Sequence, residues 1–362
     1  MSSVQAQSVN DSLEYRIRPH PLKTGDVALT VANFNYLRNY EFFNKFQDGY
    51  TLYGTQLEPQ LVYYAHPNLL LSAGIHLRKD FGNEGIYKTY PLFSIKYQKG
   101  NTALINGVLE GNIQHRYIEP LVDFEKKITE PVEYGTQVVI QNSKLFFDGW
   151  INWKKMIYKP SGEQEQILAG ISSDISLFRN NKLKLSVPLQ LLVFHQGGQI
   201  DTTAKPLQTL LNSAAGFKIN YKLSGFFKSI ETENYISTFT ELSPTKQFPF
   251  SKGKGVYLNA GVDSRYGRLT ASYWKGTNFF SRQGMPVFQS ISQQINNEGH
   301  SEKNRQLLFL RYVFQKNLVP HLYFDFRVEP VIDLGKNSSK SIEFYHSLFL
   351  VYRQEFKLFS TK

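Results

Sequence analysis

The chain has 362 residues, a formal net charge of +11 and no cysteine, which excludes a disulfide framework, thiolate metal ligands and Cys-based catalysis. Aromatic residues make up 15% of it, with 28 Phe and 22 Tyr, yet the mean hydropathy is −0.35. No run approaches the ~20 apolar residues of a membrane helix. Lys and Arg are spread over nearly every segment rather than gathered into the patch that nucleic-acid binding needs, so no nucleic-acid partner is expected. High aromatic content at middling hydropathy fits strands that are apolar on one face only.

Residues 1–25 read as an unstructured segment. Val4-Gln5-Ala6 is like the small-residue end of a secretory signal whose basic and apolar regions are missing, the alternative being a polar N-terminal tail. From residue 26 to 362 the chain breaks into about sixteen alternating segments (fourteen to eighteen). Short connections fall at 66–68, 99–101, 141–143, 179–181, 222–225, 266–267 and 316–317. Longer ones fall between them, near 41–50, 81–86, 117–132, 159–164, 196–206, 243–253, 280–302 and 335–339. This layout predicts one all-β domain, a transmembrane antiparallel up-and-down β-barrel with tight turns at one end and long loops at the other.

Along the chain, the first segment, about 27–40, is ragged. Residues 69–80 alternate cleanly: Leu69, Leu71, Ala73, Ile75 and Leu77 oppose Ser72, His76, Arg78 and Asp80. Residues 183–193 set Leu183, Leu185, Val187, Leu189 and Leu191 against Lys184, Ser186 and Gln190, and 211–222 repeat the pattern. Residues 226–239 resist phasing. The sharpest case lies at 322–333, where Leu322, Phe324, Phe326 and Val328 oppose Asp325, Arg327 and Glu329. Such a strand needs oil on one side and water on the other.

A barrel of about sixteen strands is too wide for side chains alone to fill, so its interior holds water, a folded-in loop or another polypeptide. Candidate lumen-lining residues are Arg78, Asp80, Lys184, Arg311, Asp325, Arg327, Glu329, Glu343 and Arg353. The two signs of inward charge nearly balance, which favours a salt-bridge network across the lumen over an ion-selective filter. The loop at 280–302 could fold inward as a constriction or outward as a docking surface.

No catalytic, metal or cofactor site is legible. His346-Ser347 and His300-Ser301 are adjacent and would point to opposite faces; no Gly-x-Ser-x-Gly or His-Glu-x-x-His run is present. Gly253-Lys254-Gly255 lacks the rest of a phosphate loop. No enzyme activity is therefore expected, although a hydrolase assembled from loops would leave no local motif.

The final segment, 342–359, resembles the insertion signal that ends bacterial outer-membrane barrels, with Tyr352, Phe356, Leu358 and the terminal aromatic Phe359. It departs from that pattern in carrying Ser360-Thr361-Lys362 after the aromatic and in lacking the usual Gly. With the segment layout, it makes residues 26–359 similar to the porin-like outer-membrane barrel class. That resemblance implies a Gram-negative outer membrane with both termini periplasmic. It also implies insertion by the barrel-assembly machinery, contact with bilayer and lipopolysaccharide, and association with other outer-membrane proteins or lipoproteins. The corresponding function is a porin-like channel for small hydrophilic solutes. The alternative is a non-conducting barrel subunit of a multi-protein envelope machine for import, secretion or outer-membrane assembly.

Overall fold

A computed structural model of the protein describes residues 12–335 and 342–361; the Val4-Gln5-Ala6 run lies outside the described residues. Sixteen strands follow in order: β1 (Asp26–Glu41), β2 (Thr51–His66), β3 (Leu69–Asp80), β4 (Lys88–Lys99), β5 (Thr102–Val108), β6 (Tyr134–Gln141), β7 (Leu145–Lys155) and β8 (Gln166–Arg179). The second half comprises β9 (Leu183–Gln196), β10 (Gln208–Lys222), β11 (Phe227–Glu241), β12 (Lys252–Ser264), β13 (Gly267–Thr277), β14 (Asn304–Val319), β15 (Leu322–Asp333) and β16 (Ile342–Ser360). Each pairs antiparallel with its neighbours in sequence, and β1 pairs with β16 from Asp26↔Ser360 to Glu41↔Phe344, closing the barrel. Closure leaves no strand edge unpaired in hydrocarbon. The chain is an outer-membrane-type barrel. β1 starts and β16 ends at the short-turn end.

The two irregular segments have physical explanations. In β11, Tyr235 and Phe239 point inward while Thr232 and Asn234 point outward. Those two polar side chains are satisfied locally: the Asn234 amide donates to Thr232 Oγ1 at 2.7 Å, and Thr232 donates to the Asn259 carbonyl at 2.7 Å. In β1 the usual polarity is reversed over three positions. Phe34, Tyr36 and Tyr40 are buried on the inside, while Asn33 and Asn35 lie outside and bond to each other's neighbourhood at 2.6–2.9 Å. An inward aromatic makes sense only if the lumen there is not water.

It is not water. The connection between β5 and β6 and the one between β13 and β14 both fold into the lumen. Leu121, Ile128, Phe279, Phe288 and Met285 from them are essentially inaccessible. All but Ile128 join inward wall residues such as Leu192, Phe194, Leu210, Trp274 and Phe309 in one apolar cluster at the long-loop half of the barrel; Ile128 packs with Leu13, Phe34, Phe124 and Phe349 in a second. The sequence rule that inward means polar fails there, because these side chains face protein.

Trp274 anchors the cluster. Its ring meets Phe279 at 4.9 Å and Phe288 at 5.6 Å between centroids, and its indole N–H donates to the Phe288 carbonyl at 3.0 Å. Gly255 on the next strand makes room for it: a Cβ there would stand 2.1 Å from the ring. Gly255→Ala is therefore expected to destabilise the barrel by about 1–3 kcal/mol, read from urea unfolding in lipid vesicles; an unchanged midpoint would contradict this packing.

Residues 12–25, expected to be unstructured, instead run from the short-turn rim into the lumen. Gly25 N–H donates to the Tyr64 carbonyl at 2.8 Å, Ser12 Oγ donates to Asp325 at 2.9 Å, and Leu13 is buried against Phe34, Phe124 and Phe349. At the C-terminus, Val27 pairs with Phe359 and Ala28 with Lys357, so Leu358 is the extra residue of a bulge. The bulge returns Phe359 to the outer face shared with Phe356, despite their odd spacing.

Candidate functional site: a plugged lumen and a lipid-facing Thr–His pair

The two infolded loops are bound to each other and to the wall. Met285 N–H donates to the Glu119 carbonyl at 3.0 Å, Asp123 N–H to the Gln283 carbonyl at 2.7 Å, and Ser281 Oγ to the Leu121 carbonyl at 2.7 Å. Gln289 adds a further tie, its amide donating to the Pro120 carbonyl at 3.2 Å and the Met285 carbonyl at 2.9 Å.

The nine residues predicted to line the lumen all point inward, and most clamp inserted segments rather than facing open water. Arg78 pairs with Asp80 at 2.8 Å and donates to the Ile128 carbonyl at 3.0 Å, tying β3 to the first infolded loop. Arg311 bridges Glu329 on β15 to Glu119 in the same loop. Asp325 pairs with Arg327 at 2.8 Å and holds Ser12. Arg353 donates to the Ser12 carbonyl at 2.6 Å. Glu343 accepts from Phe43 N–H at 2.8 Å and the Asn44 amide at 2.7 Å, fixing the connection after β1. Only Lys184 keeps a wetter setting, 3.8 Å from Asp174.

Below the plug, toward the short turns, two adjoining cavities of about 250 and 330 Å³ share Arg116, Lys218, Glu231 and Glu233. The larger reaches the turns after β6 and β8. Of the charges it holds, Lys218 pairs with Glu233 at 2.7 Å and Arg268 with Glu231 at 2.9 Å, while Lys144, Arg179, Lys182 and Lys222 line its short-turn mouth. The lumen is thus a polar vestibule ending under an apolar floor.

Three histidines have side-chain partners that bear on chemistry. His115, in the first infolded loop, donates from both nitrogens, to Asp148 at 2.7 Å and Glu133 at 2.9 Å, and stacks on Trp150 at 4.2 Å. Burial opposes its charge, but the Glu133 and Asp148 carboxylates outweigh burial and hold the imidazolium up to about 9. A ring with both nitrogens committed is a strut, not a base. Because its folded value lies above the ordinary value near 6.5, its contribution is fully present below about pH 6.5 and lost as pH rises through about 9. Protease protection of residues 109–133 is expected to fall across that window, and to be flat in His115→Gln; constant protection up to pH 10 would refute the strut.

His76 is inaccessible inside the wall and bonds Glu58 at 2.8 Å. His195 differs from both. At the long-loop end of β9 it faces outward, with Nδ1 2.9 Å from Thr209 Oγ1 on β10 and Nε2 3.1 Å from the Gly197 carbonyl. The carbonyl can only accept, so Nε2 carries the proton and Nδ1 accepts from the threonine hydroxyl. Strand register sets Trp153, Ile167, His195 and Thr209 in a row around the outside, with exposed Leu242 next to Thr209. The pair therefore stands in an apolar girdle at the lipid boundary.

Residues 19–361 match the sequence profile of the lipid A 3'-O-deacylase-type family. The chain belongs to this family. None of the curated proteins matches it in sequence. Among solved structures it is similar to OmpT, an outer membrane protein of Vibrio cholerae, with a TM-score of 0.53 at 7% identity over 91% of this chain and 100% of that one. It is also similar to Pseudomonas aeruginosa OprD, with a TM-score of 0.54 at 10% identity over 92% and 95% of the two chains. Pseudomonas aeruginosa opdK gives 0.51 at 10% identity over 92% and 100%. These likenesses carry the fold alone; the family comes from sequence.

Sequence reading did not find this member's Thr–His pair. Adjacent pairs such as His346-Ser347 are visible along the chain, whereas His195 and Thr209 meet across the barrel's hydrogen-bond ladder after a long loop.

Proposed function

We propose that this lipid A 3'-O-deacylase-type protein is a non-conducting outer-membrane barrel, not a solute channel. The observation that carries this reading is the apolar cluster in which the infolded loops pack against the inner wall. A porin needs a continuous wet path; here the long-loop half of the lumen is filled with Trp, Phe and Leu side chains. Purified protein in a planar bilayer at neutral pH is expected to give no ionic steps, and stable steps of porin size would overturn the reading.

A closed barrel works at its surfaces. Family membership and the Thr209–His195 pair favour acyl-ester hydrolysis on lipid A over a purely structural role in an envelope machine. Thr209 Oγ1 would attack the ester carbonyl while His195 Nδ1 takes its proton, the Gly197 carbonyl holding the far side of the ring. His195 would then return the proton to the departing sugar oxygen, and water would release the fatty acid from Thr209. Incubation with lipopolysaccharide followed by mass spectrometry is expected to show loss of an acyl chain with the native protein. Thr209→Val and His195→Ala are expected to lower the rate at least about a hundredfold. Unchanged lipid A with folded native protein would rule out hydrolysis and leave the scaffold role. Insertion through Tyr352, Phe356, Leu358 and Phe359 by the assembly machinery belongs to either reading.

A further inference from the structure

The two cavities below the plug differ in charge. The inner one, of about 250 Å³, is lined by five carboxylates and four cations, and the outer one, of about 330 Å³, by eight cations and three carboxylates. All three carboxylates of the outer cavity are engaged. Asp174 lies between Lys184 at 3.8 Å and Lys218 at 3.5 Å, Glu233 takes Lys218 at 2.7 Å, and Glu231 takes Arg268 at 2.9 Å. Lys144, Arg179, Lys182 and Lys222 line the mouth, and none of the four has an ion-pair partner among the described residues. The excess of positive charge therefore stands at the open end of the vestibule, away from the infolded loops.

Backbone hydrogen bonds set these cations side by side. The turns joining β6 to β7, β8 to β9 and β10 to β11 are neighbours: the Lys144 carbonyl accepts from Ser176 N–H at 2.7 Å, and the Lys182 carbonyl from Lys222 N–H at 2.8 Å. Consecutive turns stand two strand spacings apart, about 10 Å. Asn142 and Asn180 hold the first two turns in the same way. The Asn142 side-chain oxygen accepts from Lys144 N–H and Leu145 N–H, both at 2.9 Å. The Asn180 oxygen accepts from Lys182 N–H at 2.9 Å and Leu183 N–H at 2.7 Å. With its oxygen spent on its own turn, each amide offers a ligand its N–H donors. Both amides line the same cavity as the cations.

We propose that this mouth is a binding site for a small, water-soluble anion carrying two or more phosphate or carboxylate groups, which enters from the short-turn side. A cleft lined by one sign of charge, between low-dielectric walls, focuses the field and concentrates counter-ions. Cations about 10 Å apart along the rim match several charges on one ligand better than a single small ion. A volume of about 330 Å³ is that of a small-molecule pocket. The infolded loops stand beyond it, so a polypeptide could insert only an end. Both features favour a compact polyanion over an acidic chain.

The test uses the full chain in dodecyl maltoside, titrated by calorimetry with tripolyphosphate in one arm and citrate in another. Saturable binding is expected, weakening at least about tenfold as sodium chloride rises from about 0.05 to about 0.5 M. Binding of tripolyphosphate alone assigns the site to phosphate groups, of citrate alone to carboxylates, and of both to multivalent anions in general. The variant Lys144→Gln, Lys182→Gln, Lys222→Gln is expected to bind at least about tenfold more weakly, with heat-modifiable gel migration confirming a closed barrel. Lys45→Gln, Lys205→Gln, Lys303→Gln removes the same charge from the long-loop end and is expected to bind as the native protein does. If the first variant does not fold, the salt response of the native protein and the second variant still decide. No saturable binding of either anion by the native protein overturns the site. So does binding that salt leaves unchanged, or equal weakening in the two variants. Tight binding of hexaglutamate with neither small anion would give the mouth to an acidic polypeptide instead. The outcome is independent of whether lipid A is hydrolysed.

Discussion

Excision of both infolded loops, replacing residues 112–131 and 282–300 with short Gly-Ser linkers, is expected to turn a silent barrel into a conducting one. The walls supply closure by themselves, since all sixteen ladder pairings lie outside the excised segments. What blocks passage is Leu121, Ile128, Met285, Val287 and Phe288, all within them. Sixteen strands enclose more space than their own inward side chains fill, so removing the loops should admit water and ions. Single-loop excision should give smaller or intermittent steps, because Asp123 N–H and Met285 N–H join the two loops and each still covers part of the section. Planar-bilayer recording is the measurement. Silence after double excision, with heat-modifiable migration intact, would show that something other than these loops seals the barrel.

Trp274→Ala is expected to cost about 3–5 kcal/mol, a large share of the roughly 5–15 kcal/mol that holds a typical domain folded. Three losses combine. The ring is fully inaccessible and packs on Phe279, Phe288 and Tyr257. Its indole N–H is the partner of the Phe288 carbonyl, which would be left buried and unsatisfied. The void cannot collapse readily, because Gly255 and Gly276 beside it carry no side chain to move in. Urea unfolding in vesicles reads the cost, and conductance reads the consequence: a loosened plug should flicker open. A loss below about 1 kcal/mol would mean the loop does not depend on this residue.

The family assignment gives the closed lumen a meaning that porin-like architecture alone does not. OprD and the Vibrio cholerae OmpT are similar to this chain in fold at identities of 10% and 7%, too low to carry a role. A chemistry aimed at lipid needs no pore. It needs groups on the outer face, and His195 and Thr209 stand there between Ile167 and Leu242.

Much of the architecture was readable because lipid imposes a strict rule. Period-two alternation at 69–80, 183–193 and 322–333, with turns of two kinds taken in strict alternation, gives strand number, closure and the shared end of both termini. The rule lost its force at Phe34, Tyr36, Leu192, Phe194 and Trp274, which are apolar and yet inward. Alternation reports only whether the two faces differ in solvent. It cannot say that the inner face meets another stretch of the same chain.

The nine inward charges were visible for the same reason, but their work was not. Arg78 reaching the Ile128 carbonyl, Arg353 reaching Ser12 and Arg311 reaching Glu119 are contacts between residues 50, 341 and 192 positions apart. The sequence by itself determined the membrane, the barrel and the direction of each regular strand's faces, since those follow from local periodicity against two solvents. Only the tertiary structure decided that two loops pack inside the lumen and that His195 meets Thr209, because both depend on which distant segments the closed ladder brings side by side.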